Sequence, residues 1–205
     1  GLDYIIEWTS LCREKKNILL CTGFLSNLIE MHVKNINDNS IKILKEDSQR
    51  GTLICTDDAI RNEDNENFIV MNGDTLISID PNRIIDEALA RKSNLMLTMV
   101  PSKEQQYIIC NGHVMKATEN SKSEHYKSTG VLWVSKEKWL TLKEEIKEIV
   151  HKKSNPVIDD LLGSIAGIDP FILNENVMLY DYGTTDEFDK REEKFNEIME
   201  RIRRE

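Results

Sequence analysis

The sequence predicts an α/β fold: a mostly parallel sheet flanked by helices, with one inserted β-hairpin. Three observations point there. Continuously apolar runs at 17–22, 68–71 and 95–100 are short and end abruptly in polar or turn residues, as buried parallel strands do. Stretches with helical spacing separate them. Asn111-Gly112 stands between two strand-like runs, and Asn-Gly favours the type I′ hairpin turn.

In chain order, residues 2–16 read as an amphipathic helix with Leu2, Ile5, Ile6, Thr9 and Cys12 near one face. A strand at 17–22 ends at Gly23, and a second helix follows at 24–33. Residues 41–44 suit a short strand and 56–62 a helix. The strand at 68–71 stops at Asn72-Gly73-Asp74. Pro81 is well placed to open a helix that continues through 83–91, because its fixed φ suits a first turn. After the strand at 95–100 come the hairpin arms at 107–110 and 113–117 and a strand at 131–134. A charged helix is expected over 136–152, broken at Asn155-Pro156 and continued at 158–165. A last strand at 177–180 meets Asp181-Tyr182-Gly183. The stretch 185–205 reads as a C-terminal helix, capped by Thr184 or Thr185, with Phe188, Phe195, Ile198 and Ile202 on its apolar positions. That face suits docking on its own domain, or on a second copy in a homo-oligomer.

The length of 205 residues and 40% hydrophobic content suit a single domain, 1–205, with a real core. A net charge of −9 argues against a nucleic-acid or anionic-membrane binder, which would normally be basic, yet leaves room for nucleotides bound by local cations or a metal. Cys12, Cys21, Cys55 and Cys110 form no Cys-x-x-Cys pair, sit in or beside apolar runs, and read as buried, reduced thiols. His32, His113, His125 and His151 lack zinc-ligand spacing. No apolar run reaches membrane-spanning length and no signal peptide opens the chain, so a cytoplasmic location is expected.

In open α/β sheets ligands sit beyond the carboxyl ends of strands. Asp74 and Asp181 each follow an apolar strand there, and each has a glycine within two residues. Brought together, two such carboxylates would hold a hard cation such as Mg²⁺ beside a phosphate. The same residues also fit plain structural roles: Asn-Gly-Asp is ordinary turn chemistry, and Asp181 could cap the last helix.

Four segments, in order, resemble the sugar-1-phosphate nucleotidyltransferases, which make nucleotide-sugars from an NTP and a sugar 1-phosphate. Asn67-Phe68-Ile69-Val70-Met71-Asn72-Gly73-Asp74-Thr75 looks like that family's hallmark strand. Arg50-Gly51-Thr52, ahead of Ala59-Ile60, resembles the Leu-Gly-Thr segment near the nucleobase. Ser128-Thr129-Gly130-Val131-Leu132-Trp133-Val134 resembles the Asn-Ala-Gly strand beside the sugar. Tyr180-Asp181-Tyr182-Gly183-Thr184-Thr185-Asp186-Glu187-Phe188 resembles the closing Asp-x-Gly-Thr motif. Among relatives, the heptose- and mannose-1-phosphate guanylyltransferases look most similar. The resemblance implies a Rossmann-like nucleotide-diphospho-sugar transferase fold and Mg²⁺ on Asp74 and Asp181. It implies that Gly51 and Thr52 face the base and that Glu119 and Gly130 contact the sugar, with Gly73 also binding substrate.

The resemblance departs in places. The family's opening strand, Gly-rich triphosphate loop and Pro-Lys-Pro have no match, since residues 2–8 resemble the helix that follows them. Asn120 stands where the family's sugar-phosphate lysine belongs, with Lys122 or Lys116 as replacements. Leu53-Ile54-Cys55 replaces the small residues usual after Gly-Thr and is expected to crowd the base. The family's strand order expects the strands at 18–21 and 68–71 to be adjacent, or one strand apart, in one sheet; placement in different sheets would overturn the family reading. A non-catalytic binding or regulatory module on the same fold is the alternative reading. An unrelated dinucleotide-binding oxidoreductase is disfavoured, since no Gly-x-Gly-x-x-Gly follows a strand.

Overall fold

The structure is a computed structural model. It describes residues 2–14, 17–46, 48, 50–104, 106–118, 121, 123–174, 176–183 and 188–204. The chain divides into two compact units: Gly1–Arg13, Ile69–Ser135 and Ala166–Glu205 form one, and Glu14–Phe68 and Lys136–Ile165 form the other.

The second unit holds β1 (Ile18–Thr22), α2 (Ser26–Ile36), β2 (Ile41–Lys45) and α3 (Thr52–Asn62), which follow α1 (Leu2–Ser10) of the first unit in sequence. β1 and β2 pair in parallel, from Ile18 opposite Ile41 to Thr22 opposite Lys45. α3 starts four residues before the expected 56, because Gly51, at φ +95°, turns the chain into it. Leu53, Cys55 and Ile60 of α3 are buried. The indole N–H of buried Trp139 donates to Asp57 of α3 at 2.9 Å. The expected helix at 136–152 is two: α5 (Lys136–Thr141) and α6 (Lys143–Lys152). The break is Leu142, whose N–H donates to Trp139 in a tight turn while its side chain is buried. α7 (Ile158–Leu162) is shorter than expected.

The first unit carries β3 (Asn67–Met71) from residue 69 on, β4 (Thr75–Ile77), α4 (Pro81–Arg91) and β5 (Leu95–Pro101). There follow β6 (Tyr107–Cys110), β7 (His113–Lys116), β8 (Tyr126–Ser135), β9 (Asp169–Ile172), β10 (Leu179–Asp181) and α8 (Arg191–Arg204). Pro81 opens α4 as expected, and Asp80 caps it by accepting from the Asn82 N–H at 2.8 Å. The Asn111-Gly112 hairpin forms, with Tyr107 opposite Lys116 and Cys110 opposite His113.

The strand pairing is mixed rather than mostly parallel. β1–β2 and β5–β9 are parallel, whereas β5–β8, β6–β7, β6–β8 and β4–β10 are antiparallel. The main sheet runs β7-β6-β8-β5-β9, with β3 also pairing to β8. The antiparallel share comes from the hairpin and from β8, which returns beside β5 over ten residues, where a strand of four was expected. β9 was not expected; Pro170 lies in it, tolerated because β9 ends the strand order.

β1 and β3 fall in different hydrogen-bonded sheets, against the expectation of one compact sheet holding both. The reason is local: β1 takes β2 as its ladder partner and β3 takes β8.

The core of the first unit gathers Tyr4 and Trp8 of α1, Leu76 and Ile77 of β4, Ile84 and Ala88 of α4, and Ile198, Met199 and Ile202 of α8. α1 is tied in by hydrogen bonds as well as packing. The Tyr4 hydroxyl donates to the Ile77 carbonyl and accepts from its N–H at 2.9 Å, and the Trp8 indole N–H donates to Ile79 at 2.7 Å. The apolar face of α8 docks on its own unit: Phe195 meets the Tyr4 ring edge-on at 5.7 Å, and Arg203 pairs with Glu7 at 2.7 Å.

Candidate active site

Asp74 lies between β3 and β4, and Asp181 ends β10. β4 and β10 run antiparallel with Asp181 opposite Thr75, so their register alone brings the two aspartates to one end of the ladder. Both side chains are exposed. Gly183 sits between them: a Cβ built there would lie 3.1 Å from Asp181 Oδ1 and 3.7 Å from Asp74 Oδ2. Both oxygens thus lie within 4 Å of one point, and glycine keeps that point clear. The Gly183 N–H donates to Asp181 Oδ1 at 2.9 Å, an Asx-type turn that orients the carboxylate. The Thr75 hydroxyl reaches Asp74 Oδ1 at 3.4 Å.

The turn carrying Asp74 is held from both sides. On one side the Asn72 N–H donates to the Gly130 carbonyl at 3.1 Å. Gly130, at φ +75°, sits in a bulge of β8, where Leu97 pairs with Leu132 but Met99 pairs with Ser128. A Cβ on Gly130 would come within 2.7 Å of the Asn72 amide nitrogen, so the glycine lets that side chain pack over it. The buried Thr129 hydroxyl secures the bulge by donating to Thr98 at 3.0 Å. On the other side Tyr182 donates twice. Its N–H reaches the Asp74 carbonyl at 3.0 Å and its hydroxyl the Gly73 carbonyl.

Burial raises the Tyr182 hydroxyl pKa to about 12, and the negative charge of Asp74 adds to the shift, against a counter-pull from Arg191. Arg191 stacks its guanidinium 3.7 Å over Phe188, whose ring lies 6.4 Å from that of Tyr182.

Of the sequence-predicted residues, Asp74, Asp181, Gly73 and Gly130 come together within the first unit. Gly51 and Thr52 belong to the second, at the start of α3. A Cβ on Gly51 would lie 2.3 Å from the Pro156 carbonyl oxygen, which already accepts the Leu53 N–H at 3.1 Å. Leu53 and Cys55, expected to crowd a base, are buried; of the four cysteines expected to be buried only Cys55 is, while Cys21 and Cys110, on strands with a solvent-facing side, are exposed. Glu119, Asn120, Lys122 and residues 184–187 lie outside the described residues. Lys116 lies in β7, within the expected hairpin arm, and is exposed. Sequence reasoning missed Tyr182 and Asn72; a hydroxyl-bearing aromatic between an aspartate and a glycine was the available signal. Among the described residues no group of three or more His, Cys, Asp or Glu is placed to hold a metal ion. Two carboxylates fit Mg²⁺ nonetheless, because it characteristically takes one or two from the protein and the rest from phosphates and water.

No family model matches the chain. Over 88 residues it is 31% identical to the D-glycero-alpha-D-manno-heptose 1-phosphate guanylyltransferase of Aneurinibacillus thermoaerophilus. That stretch is 42% of this chain and only 38% of that protein. In structure it is similar to HddC from Yersinia pseudotuberculosis, with TM-score 0.65 and 20% identity, covering 95% of this chain and 83% of that one. Another structure of HddC, equally similar, is complexed with GMP-PN. The inositol-1-phosphate CTP transferase of T. maritima matches with TM-score 0.72 and 13% identity, over 98% of this chain and 82% of that one. The structural likenesses span nearly the whole chain, so the fold stands although β1 and β3 lie in different ladders; the two-strand criterion was too strict, since a ladder records direct neighbours only. The chain thus has the fold of the sugar-1-phosphate nucleotidyltransferases and resembles them in sequence.

Proposed function

We propose that this chain catalyses nucleotidyl transfer from an NTP to a sugar 1-phosphate, forming a nucleotide-sugar and releasing pyrophosphate. The convergence of Asp74 and Asp181 on the point left clear by Gly183 carries the reading. A Mg²⁺ ion there would neutralise charge on the transferring phosphoryl group. An oxygen of the sugar phosphate attacks the α-phosphorus in line; the bond to the β-phosphate oxygen breaks and pyrophosphate leaves. Such chemistry asks the protein chiefly for positioning. Asp74 and Asp181 would hold that ion. Gly73 binds substrate, Glu119 and Gly130 contact the sugar, and Gly51 and Thr52 face the base. The likeness to a heptose 1-phosphate guanylyltransferase favours GTP and a heptose or mannose 1-phosphate. We read both compact units as one working domain in a cytoplasmic enzyme.

The test is pyrophosphate release from each NTP with Mg²⁺ and a panel of sugar 1-phosphates. One pairing should give product, and Asp74→Asn or Asp181→Asn should cut its rate by at least about 100-fold with circular dichroism unchanged. Nucleotide binding without pyrophosphate from any pairing would favour a non-catalytic module, and full rates in both variants would sink the metal pair.

A further inference from the structure

We propose that Tyr182 is a positioning residue that sets the spacing of the Asp74–Asp181 pair; this rests on the metal-pair reading above. The β4–β10 ladder has three residue pairs and ends at Asp181 opposite Thr75. Asp74 lies one residue beyond that end, on a turn that is exposed over 72–74. A Cβ on Gly73 would meet nothing within 4 Å, so packing does not confine the turn there. Its position relative to Asp181 is left to hydrogen bonds, and Tyr182 supplies two: N–H to the Asp74 carbonyl at 3.0 Å, hydroxyl to the Gly73 carbonyl.

These two donors belong to one residue, covalently joined to Asp181. Any movement of the turn away from Asp181 must break them. The lever is anchored, since Tyr182 is only 9% exposed and packs in the core with Leu76, Ile79 and Met199. The hydroxyl thus fixes the outer carbonyl of the turn, as the N–H fixes the inner one. A ring without the hydroxyl would fill the same space and leave the Gly73 carbonyl to water, widening the range of distances that the two carboxylates sample. Metal affinity depends on holding both oxygens near one point, so it should register that loss directly.

The probe is Mn²⁺ alone with the full chain and no nucleotide, followed by loss of the free-ion EPR signal. Wild type should bind, and Asp74→Asn or Asp181→Asn should weaken binding at least about tenfold. Tyr182→Phe should weaken it about three- to tenfold, and the half-saturating metal in pyrophosphate release should rise by the same factor. Equal Mn²⁺ affinity in wild type and Tyr182→Phe, even with a lowered melting temperature, overturns the proposal. Wild-type binding that neither Asn variant changes overturns the metal pair instead. A second readout needs no variant: by linkage, saturating Mg²⁺ should slow hydrogen exchange over 179–183 in the wild type. Exchange there unaltered by bound metal also overturns the positioning role.

Discussion

Tyr182 and Gly73 stand 109 positions apart in the chain, yet one hydroxyl joins them. That contact has a pH signature. The Tyr182 pKa rises from its ordinary 10.0 to about 12, through burial first and the charge of Asp74 next. A raised pKa means that the folded state favours the protonated phenol. Its contribution to stability is therefore complete below pH 10 and is lost as pH climbs through about 12. Tyr4, also buried, shifts in the same direction. Melting temperature should accordingly fall across this window, and Tyr182→Phe, which has no phenol to ionise, should flatten the fall; a slope as steep as wild type would count against it. At this scale the sequence was legible for the aspartates and glycines, whose types announce carboxylate chemistry and close approach. It offered only a faint signal for Tyr182 and none for Asn72, whose roles come from partners that folding brings near.

Among elements, helices with strong local signals were the easiest to read. Pro81 and the apolar spacing behind it placed α4 to the residue at its start. Elements made by pairing were harder. β4 has three residues and β9 contains a proline, so neither has a pattern of its own; each exists because a partner strand lies alongside. β10 falls two residues later than its apolar run suggested, because its register with β4 decides where it starts. Two glycines set elements in place by different means, and the difference predicts an order. Gly130→Ala puts a methyl against the far end of the Asn72 side chain, which can rotate away, so the left-handed φ dominates at about 1–2 kcal/mol. Gly51→Ala meets φ +95° and ψ 149°, a conformation that is essentially glycine's alone, and also drives its methyl into the Pro156 carbonyl, which cannot swing aside. The Gly51 variant should therefore lose clearly more stability in urea unfolding. Equal losses would mean that the seat of α3 on Pro156 is looser than described.

For the whole molecule, what the sequence could convey was the class of fold and the order of its elements. Which strands share a sheet was beyond it, because pairing joins residues far apart: β8 separates β5 from β6 in the sheet although it follows both in the chain. The expectation of one mostly parallel sheet failed for that reason, while the α/β class held. The first unit shows the same non-locality most sharply. It is assembled from three separated stretches, and its core needs α1 at one end and α8 at the other. Glu7 and Arg203 are 196 positions apart and in contact. Topologies rich in such distant contacts fold slowly, since long loops must close before the contacts form. On a ribosome, then, this unit has to wait: Tyr4 and Trp8 emerge well before Phe195, which covers Tyr4. A chain stopped before Arg191 should lack the near-ultraviolet dichroism of a packed core, and adding α8 as a separate peptide should restore it in part. Because α8 closes the core of this unit, the site's first aspartate sits on an unfinished scaffold until that helix docks.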